Sequence, residues 1–153
     1  MEKRLNHMKL ELDGQSVNEG FARGVVALFA AQLDPTIDEI NDIKTAVSEA
    51  VTNCVVHAYD KMQGSILIEC ELYSDRISIQ ITDSGGGIQD IETAMQPFTT
   101  TKPTEERSGM GFTVMQSFMD SVHVESKDGR GTTVTMQKFF QTKERENAKR
   151  KQA

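Results

Sequence analysis

Ile66-Leu67-Ile68-Glu69-Cys70-Glu71-Leu72 and Ile77-Ser78-Ile79-Gln80-Ile81-Thr82-Asp83, joined through Ser74-Asp75, decide the fold. In the first run Ile66, Ile68, Cys70 and Leu72 fall on one side of a pleated strand, against Leu67, Glu69 and Glu71 on the other. In the second, Ile77, Ile79 and Ile81 alternate with Ser78, Gln80 and Thr82. Side chains alternate faces along a strand, so this is a hairpin with one buried and one wet face. The alternation continues to Asp83, which therefore points inward with the isoleucines. A carboxylate there is costly unless something donates hydrogen bonds to it. Ser84-Gly85-Gly86-Gly87-Ile88 follows; its glycines end the strand and let backbone approach a neighbour closely.

Upstream, Met8, Leu10 and Leu12 alternate with Lys9 and Glu11, a short strand with one buried face, before a turn at Asp13-Gly14. Ser16-Val17-Asn18-Glu19 has the form of a capping box and predicts a helix with Phe21, Val25, Leu28 and Phe29 inward, ending before Leu33-Asp34-Pro35. Thr36-Ile37-Asp38-Glu39 is a second such box. It opens a long helix with Ile40, Ile43, Val47, Ala50, Val51 and Cys54 inward. Glu49, Asn53 and His57 recur at four-residue spacing on an adjoining stripe. That stripe offers a carboxylate able to take a proton and a carboxamide oxygen able to ligate a hard cation.

Downstream, Ile88 to Met95 fits a short helix, and Gln96 to Ser108, with little periodicity, fits a mobile loop. Gly109-Met110-Gly111 leads into a third long helix with Phe112, Met115, Phe118, Met119 and Val122 inward. His123 to Ser126 reads as a strand, Lys127 to Gly131 as a hairpin turn, and Thr132 to Phe140 as the last strand. Hairpins demand antiparallel pairing, and the helices need a common sheet face to cover. The expected fold is a two-layer α/β sandwich: a mixed, largely antiparallel sheet with helices on one face. One domain spans residues 8–140, with flexible ends at 1–7 and 141–153.

A chain of 153 residues suits one domain with one core. Its net charge of −6 argues against binding nucleic acid or anionic lipid by overall electrostatics. Cys54 and Cys70 both fall on inward faces, as buried free thiols suited to a reducing cytosol. No His/Cys cluster has zinc-site spacing, and neither a membrane span nor a signal-peptide core is present, so a cytoplasmic protein is expected.

Four features converge: the Glu49/Asn53 stripe, the inward Asp83 with Gly85 and Gly87, a loop bearing Lys102 and Arg107, and Gly109-Met110-Gly111 ahead of a helix. Free backbone N–H groups at a helix start favour phosphate, and Lys102 and Arg107 add charge-assisted donors. Asn53 suits Mg²⁺ held against those phosphates. Asp83 would accept from an exocyclic amine. The set fits a nucleotide whose base carries an amino group.

Glu49-x-x-x-Asn53, Asp83-x-Gly85-x-Gly87 and Gly109-x-Gly111 resemble the N, G1 and G2 boxes of the GHKL superfamily, which includes gyrase B, histidine-kinase catalytic domains and bacterial anti-sigma serine kinases. Longer blocks are similar to the anti-sigma F factors of endospore-forming bacteria. They are Leu33 to Thr36, Val47 to Asn53, Thr100 to Pro103, Glu106 to Phe112 and Phe118 to Asp120, and the resemblance runs from Met8 to Phe139. It implies a Bergerat-type ATP-binding fold and a protein serine/threonine kinase using ATP and Mg²⁺. In that reading Asp83 binds the adenine amino group, with Thr132 or Thr133 assisting and Gly85 and Gly87 beside it. Asn53 coordinates Mg²⁺. Ser108, Gly109, Met110 and Gly111 meet the phosphates, Lys102 and Arg107 belong to the lid, and Glu49 is the general base. The implied partners are a sporulation sigma factor, held by a homodimer, and a small anti-anti-sigma protein phosphorylated on serine, both meeting Arg23. No phosphoacceptor-histidine helix pair precedes the domain, which sets a complete sensor histidine kinase aside. The alternatives are an ATP-binding anti-sigma module without phosphotransfer and a kinase regulating a stress-response sigma factor.

Overall fold

A computed structural model describes residues 3–58, 64–84, 111–127 and 131–141. Strand β1 (Asn6–Asp13) leads to helix α1 (Asn18–Ala30), a 3₁₀ turn (Ala31–Leu33) and helix α2 (Ile37–Asn53), which runs on into a π-helical turn (Cys54–Ala58). Strands β2 (Ser65–Leu72) and β3 (Arg76–Asp83), helix α3 (Gly111–Phe118) and strands β4 (Ser121–Lys127) and β5 (Gly131–Phe139) follow. The five strands lie in the order β1-β2-β3-β5-β4. All the pairings among the described residues are antiparallel, in keeping with the largely antiparallel sheet expected.

The β2–β3 hairpin has the expected register, with Ile68 opposite Ile81 and Cys70 opposite Ile79. Ile66, Ile68, Cys70, Leu72, Ile77, Ile79 and Ile81 are all buried, in one core with Ile43, Val47 and Val51 of α2 and Phe112 and Met115 of α3. Burying an isoleucine or leucine contributes about 1.5–3 kcal/mol, so this stripe is the largest single hold on the sheet. Gln80 on the opposite face is exposed, and Glu69, Glu71 and Ser78 are half-exposed there. Strand β1 forms one edge of the sheet, and its Met8, Leu10 and Leu12 pack half-buried against the core.

Thr36 caps α2 as expected. Its side chain accepts from the Glu39 backbone N–H at 3.1 Å, and Glu39 Oε1 accepts from the Thr36 N–H at 2.8 Å. Beyond the notional box, Glu39 Oε2 also accepts from the Gln141 backbone N–H at 2.8 Å, tying the chain after β5 to the start of α2.

Three expectations are corrected. No side-chain hydrogen bond caps α1; its N-cap is Val17, and Glu19 instead receives hydrogen bonds from Ser48 and Arg23. The inward face of α1 is Ala22, Val26, Ala27 and Ala30, while Phe21 and Leu28 are 55% and 75% exposed. Small side chains there let α1 lie close against α2, so the contact selects alanine over bulk. Lastly, α3 stops at Phe118, which is 37% exposed, and Val122 belongs to β4 rather than to the helix. Lys138 Nζ bonds the Phe118 carbonyl at 2.7 Å and Asp42 Oδ2 at 2.9 Å, satisfying that helix end and tying it to α2.

The expected helix at 88–95, the loop at 96–108 and the tail beyond 141 lie outside the described residues. Among the described residues no helix is long and apolar enough to cross a membrane. Cys54 and Cys70 are buried and free.

Candidate active site

The end of α2, the end of β3 and the start of β5 meet at one end of the sandwich. Glu49 and Asn53 lie one turn apart on α2, both half-buried beside its core face. Asn53 is the last α-helical residue, and the wider π-helical turn begins at Cys54.

Gly111 brings the described start of α3 against this stripe. A Cβ at position 111 would lie 2.9 Å from Asn53 Nδ2 and 3.0 Å from Oδ1, inside van der Waals contact. The backbone of Gly111 thus approaches the carboxamide more closely than any other residue type would permit.

Asp83 closes β3, is 8% exposed, and faces inward as its place in the alternation requires. Directly across the ladder is Thr132, also 8% exposed, whose backbone N–H donates to Asp83 Oδ1 at 3.3 Å. The Thr132 hydroxyl lies 3.0 Å from that of Ser126. Thr133 pairs with Thr82, its hydroxyl 3.3 Å from the Thr82 hydroxyl, on the opposite face of the sheet. Of the two threonines, then, only Thr132 shares the face of Asp83. Gly131 has a φ of 91°, and a Cβ there would lie 2.1 Å from the Asp83 carbonyl oxygen. A glycine is required for β5 to begin this close to the end of β3.

Sequence reasoning missed one neighbour. Cys54, assigned only to the core, is buried near enough to Asp83 to feel its charge. Burial, then the negative charge of Asp83, push the Cys54 thiol well above its ordinary pKa, so it remains a neutral S–H. The available signal was that Cys54, just past the end of α2, and Asp83, at the end of β3, are both inward positions.

Arg23 on α1 is exposed, with its guanidinium 2.9 Å from Glu19 Oε1 and 3.3 Å from Ser48 Oγ, the residue preceding Glu49. Ser48 in turn donates to Glu19 Oε1. Gly85, Gly87, Lys102, Arg107, Ser108, Gly109 and Met110 lie outside the described residues. No group of three or more His, Cys, Asp or Glu side chains converges among those described.

A family model described as the histidine kinase-like ATPase domain matches residues 13–138. An anti-sigma F factor of Caldanaerobacter subterraneus is 59% identical over 135 residues, covering 88% of this chain and 94% of that protein. The chain belongs to the anti-sigma F factor family of histidine kinase-like ATPase domains. The anti-sigma F factor of Clostridium beijerinckii is 55% identical over 136 residues, covering 88% of this chain and 95% of that one. Among solved structures, the RsbU and RsbW domains of a Mycobacterium tuberculosis protein match with a TM-score of 0.64 and 19% identity, over 88% of this chain and 32% of that one. A blue-light activated histidine kinase of Erythrobacter litoralis matches with a TM-score of 0.56 and 18% identity, over 82% of this chain and 42% of that one. These two likenesses are of fold. The family read from the sequence blocks is thus borne out, and with it the two-layer sandwich.

The residues present fit a purine nucleotide. Asp83 is a buried acceptor at the end of a strand, and the contact between Gly111 and Asn53 is a cradle that a Cβ would fill. Phosphate oxygens, water and a carboxamide such as that of Asn53 would suffice for Mg²⁺ without a cluster of protein carboxylates.

Proposed function

We propose that this chain is an anti-sigma factor and a protein-serine kinase that uses Mg²⁺ and ATP. It binds a sporulation sigma factor and phosphorylates a small anti-anti-sigma protein on a serine, thereby inactivating it. The observation that carries this reading is the meeting of Gly111 with Asn53 one turn from Glu49, at the same end of the fold as the inward Asp83. The names of the relatives support the sigma-factor half of it.

Asp83 takes the adenine amino group, with Thr132 beside it, and Gly85 and Gly87 are assigned to the same nucleotide. Asn53 holds Mg²⁺. Gly111, with Ser108, Gly109 and Met110 ahead of it, presents backbone N–H groups to the phosphates, while Lys102 and Arg107 neutralise charge from the lid. ATP, when bound, supplies the phosphoryl group. Glu49 accepts the proton of the partner's serine hydroxyl as that oxygen attacks in line, and ADP carries away the electrons of the broken P–O bond. Exposed Arg23 serves both protein partners, and Glu19 holds its guanidinium over Ser48. A homodimer acting in the cytoplasm completes the proposal; the two free thiols suit a reducing compartment.

The test is incubation with labelled ATP, Mg²⁺ and candidate anti-anti-sigma proteins from sporulation and stress pathways, scored for phosphoserine. Wild type should label a sporulation substrate, and Glu49→Gln should bind ATP and the sigma factor but transfer nothing. A wild type that binds both yet labels no partner would make this a binding module without phosphotransfer. Labelling confined to stress-pathway proteins would move it to that branch.

A further inference from the structure

Lys138 is a lysine on the inward side of the sheet. On β5 it continues the alternation of Thr132, Val134 and Met136, opposite the buried Ile77, and its side chain is 14% exposed. Its ammonium donates to Asp42 Oδ2 on α2 at 2.9 Å and to the Phe118 carbonyl at the end of α3 at 2.7 Å. Each of the three elements it joins has its other end at the candidate active site. Along β5, Lys138 stands about 20 Å from Thr132. Along α2, Asp42 stands about 16 Å before Asn53, and along α3, Phe118 stands about 10 Å beyond Gly111.

Helix α3 needs such a hold. Its 8 residues are too few to be stable alone, so packing must set its place. Phe112 and Met115 seat it on the core, but apolar contact is non-directional and lets a short helix slide along its axis. The approach of Gly111 to Asn53 tolerates little sliding, since a Cβ at 111 would already lie 2.9 Å from the amide nitrogen. After α3, the Asp120 N–H donates to the Gln137 carbonyl at 2.9 Å, and the Phe139 N–H donates to Asp120 Oδ2 at 2.7 Å. Those bonds fasten the chain to β5; Lys138 adds the link to α2, the helix that carries Asn53. Its bonds are charge-assisted and directional, and a cation suits the carbonyl end of a helix.

We infer that Lys138 is a positioning residue for nucleotide binding. By joining the end of α3 to α2 and β5, it sets how far along α2 the start of α3 sits, and so holds the Gly111 backbone against the Asn53 carboxamide. The inference rests on the proposed binding of Mg²⁺-ATP at that contact.

The test is a double-mutant cycle on Mg²⁺-ATP affinity, measured by calorimetry beside thermal unfolding, in wild type, Lys138→Met, Gly111→Ala and the pair. Methionine keeps an apolar stem and removes both bonds. Lys138→Met should bind Mg²⁺-ATP about fivefold more weakly at a temperature where it is fully folded. In the Gly111→Ala background, where the contact is already lost, the same substitution should cost less than about twofold. Effects at opposite ends of a helix ordinarily add, so a merely structural lysine would cost nothing, or the same factor in both backgrounds. Full additivity, or wild-type affinity in Lys138→Met, overturns the positioning role and leaves nucleotide binding standing. Unchanged affinity in Gly111→Ala removes the contact through which Lys138 acts, and overturns the role as well. A wild type that binds no Mg²⁺-ATP fails the proposed function itself, and this inference with it. Should Lys138→Met not fold, Asp42→Ala takes its place, since it frees the ammonium from α2 alone. It should cost about threefold in the wild-type background and nothing further beside Gly111→Ala; additivity there again overturns the role.

Discussion

Gly111 and Asn53 meet so closely that a methyl group at position 111 would lie 2.9 Å from the Asn53 amide nitrogen. The atoms it would meet are the far end of a side chain, so the fold can yield while the site cannot. Gly111→Ala should therefore separate stability from function. Alanine in a helix is favoured over glycine by about 1 kcal/mol, which offsets the displacement of Asn53. Thermal unfolding should move little, whereas Mg²⁺-ATP affinity should fall on the order of tenfold as the carboxamide turns away. Unchanged nucleotide affinity by calorimetry would mean that this contact is packing alone.

Glu39 joins two parts of the chain 102 residues apart, accepting from Thr36 N and Gln141 N through different oxygens while 6% exposed. Removing the Thr36 cap costs only a helix terminus, about 1 kcal/mol for Thr36→Ala. Glu39→Ala leaves two backbone donors without their charged acceptor at part-buried positions, and should cost about 2–4 kcal/mol. Each kcal/mol lowers the melting temperature by about 2–4 °C at this size, so calorimetry resolves the two. Equal losses would mean that the Gln141 contact adds nothing.

What the sequence made legible follows a physical line. The period-two pattern of Ile66 to Asp83 placed every inward side chain, because a one-residue slip would have put all of them in water. Thr36 and Glu39 were legible because a capping box is local. Ser16 to Glu19 carried the same local pattern, but Ser48 on another helix claimed Glu19, and no local rule contains that competitor. Val122 suited both a helix continuing α3 and the start of β4, and pairing with Met136 decided for the strand. The contacts that build the site, Gly111 with Asn53 and Thr132 with Asp83, are tertiary; the sequence named these four residues as site candidates but held no local rule for which would meet.

The face of α1 was misread because bulk was taken for burial, and this is directly measurable. Leu28, 75% exposed, should tolerate Leu28→Ala within about 0.5 kcal/mol. Ala22, wholly buried, should not tolerate leucine: overpacking of Ala22→Leu should cost about 1–3 kcal/mol. Urea denaturation of dilute protein gives both values. The reverse ranking would restore the face expected from hydrophobicity alone.

Cys70 offers a pH test independent of nucleotide. Burial pushes its thiol from 9.0 up to about 12. A raised pKa means that the folded chain holds the proton more tightly than the unfolded one. The associated stability is fully present below pH 9 and is lost as pH rises from there toward about 12, where the folded thiol finally ionises. The upper bound on that loss is about 4 kcal/mol, from roughly 1.4 kcal/mol per pKa unit. Cys54, also raised, acts in the same direction. Cys70→Val keeps a small apolar group on β2, suits a strand, and cannot titrate. Across the alkaline range its unfolding free energy should decline less steeply than that of wild type, so the difference between the two shifts in favour of the variant as pH rises. Parallel curves would mean that the thiol ionises in place at no cost, and that this part of the core admits water.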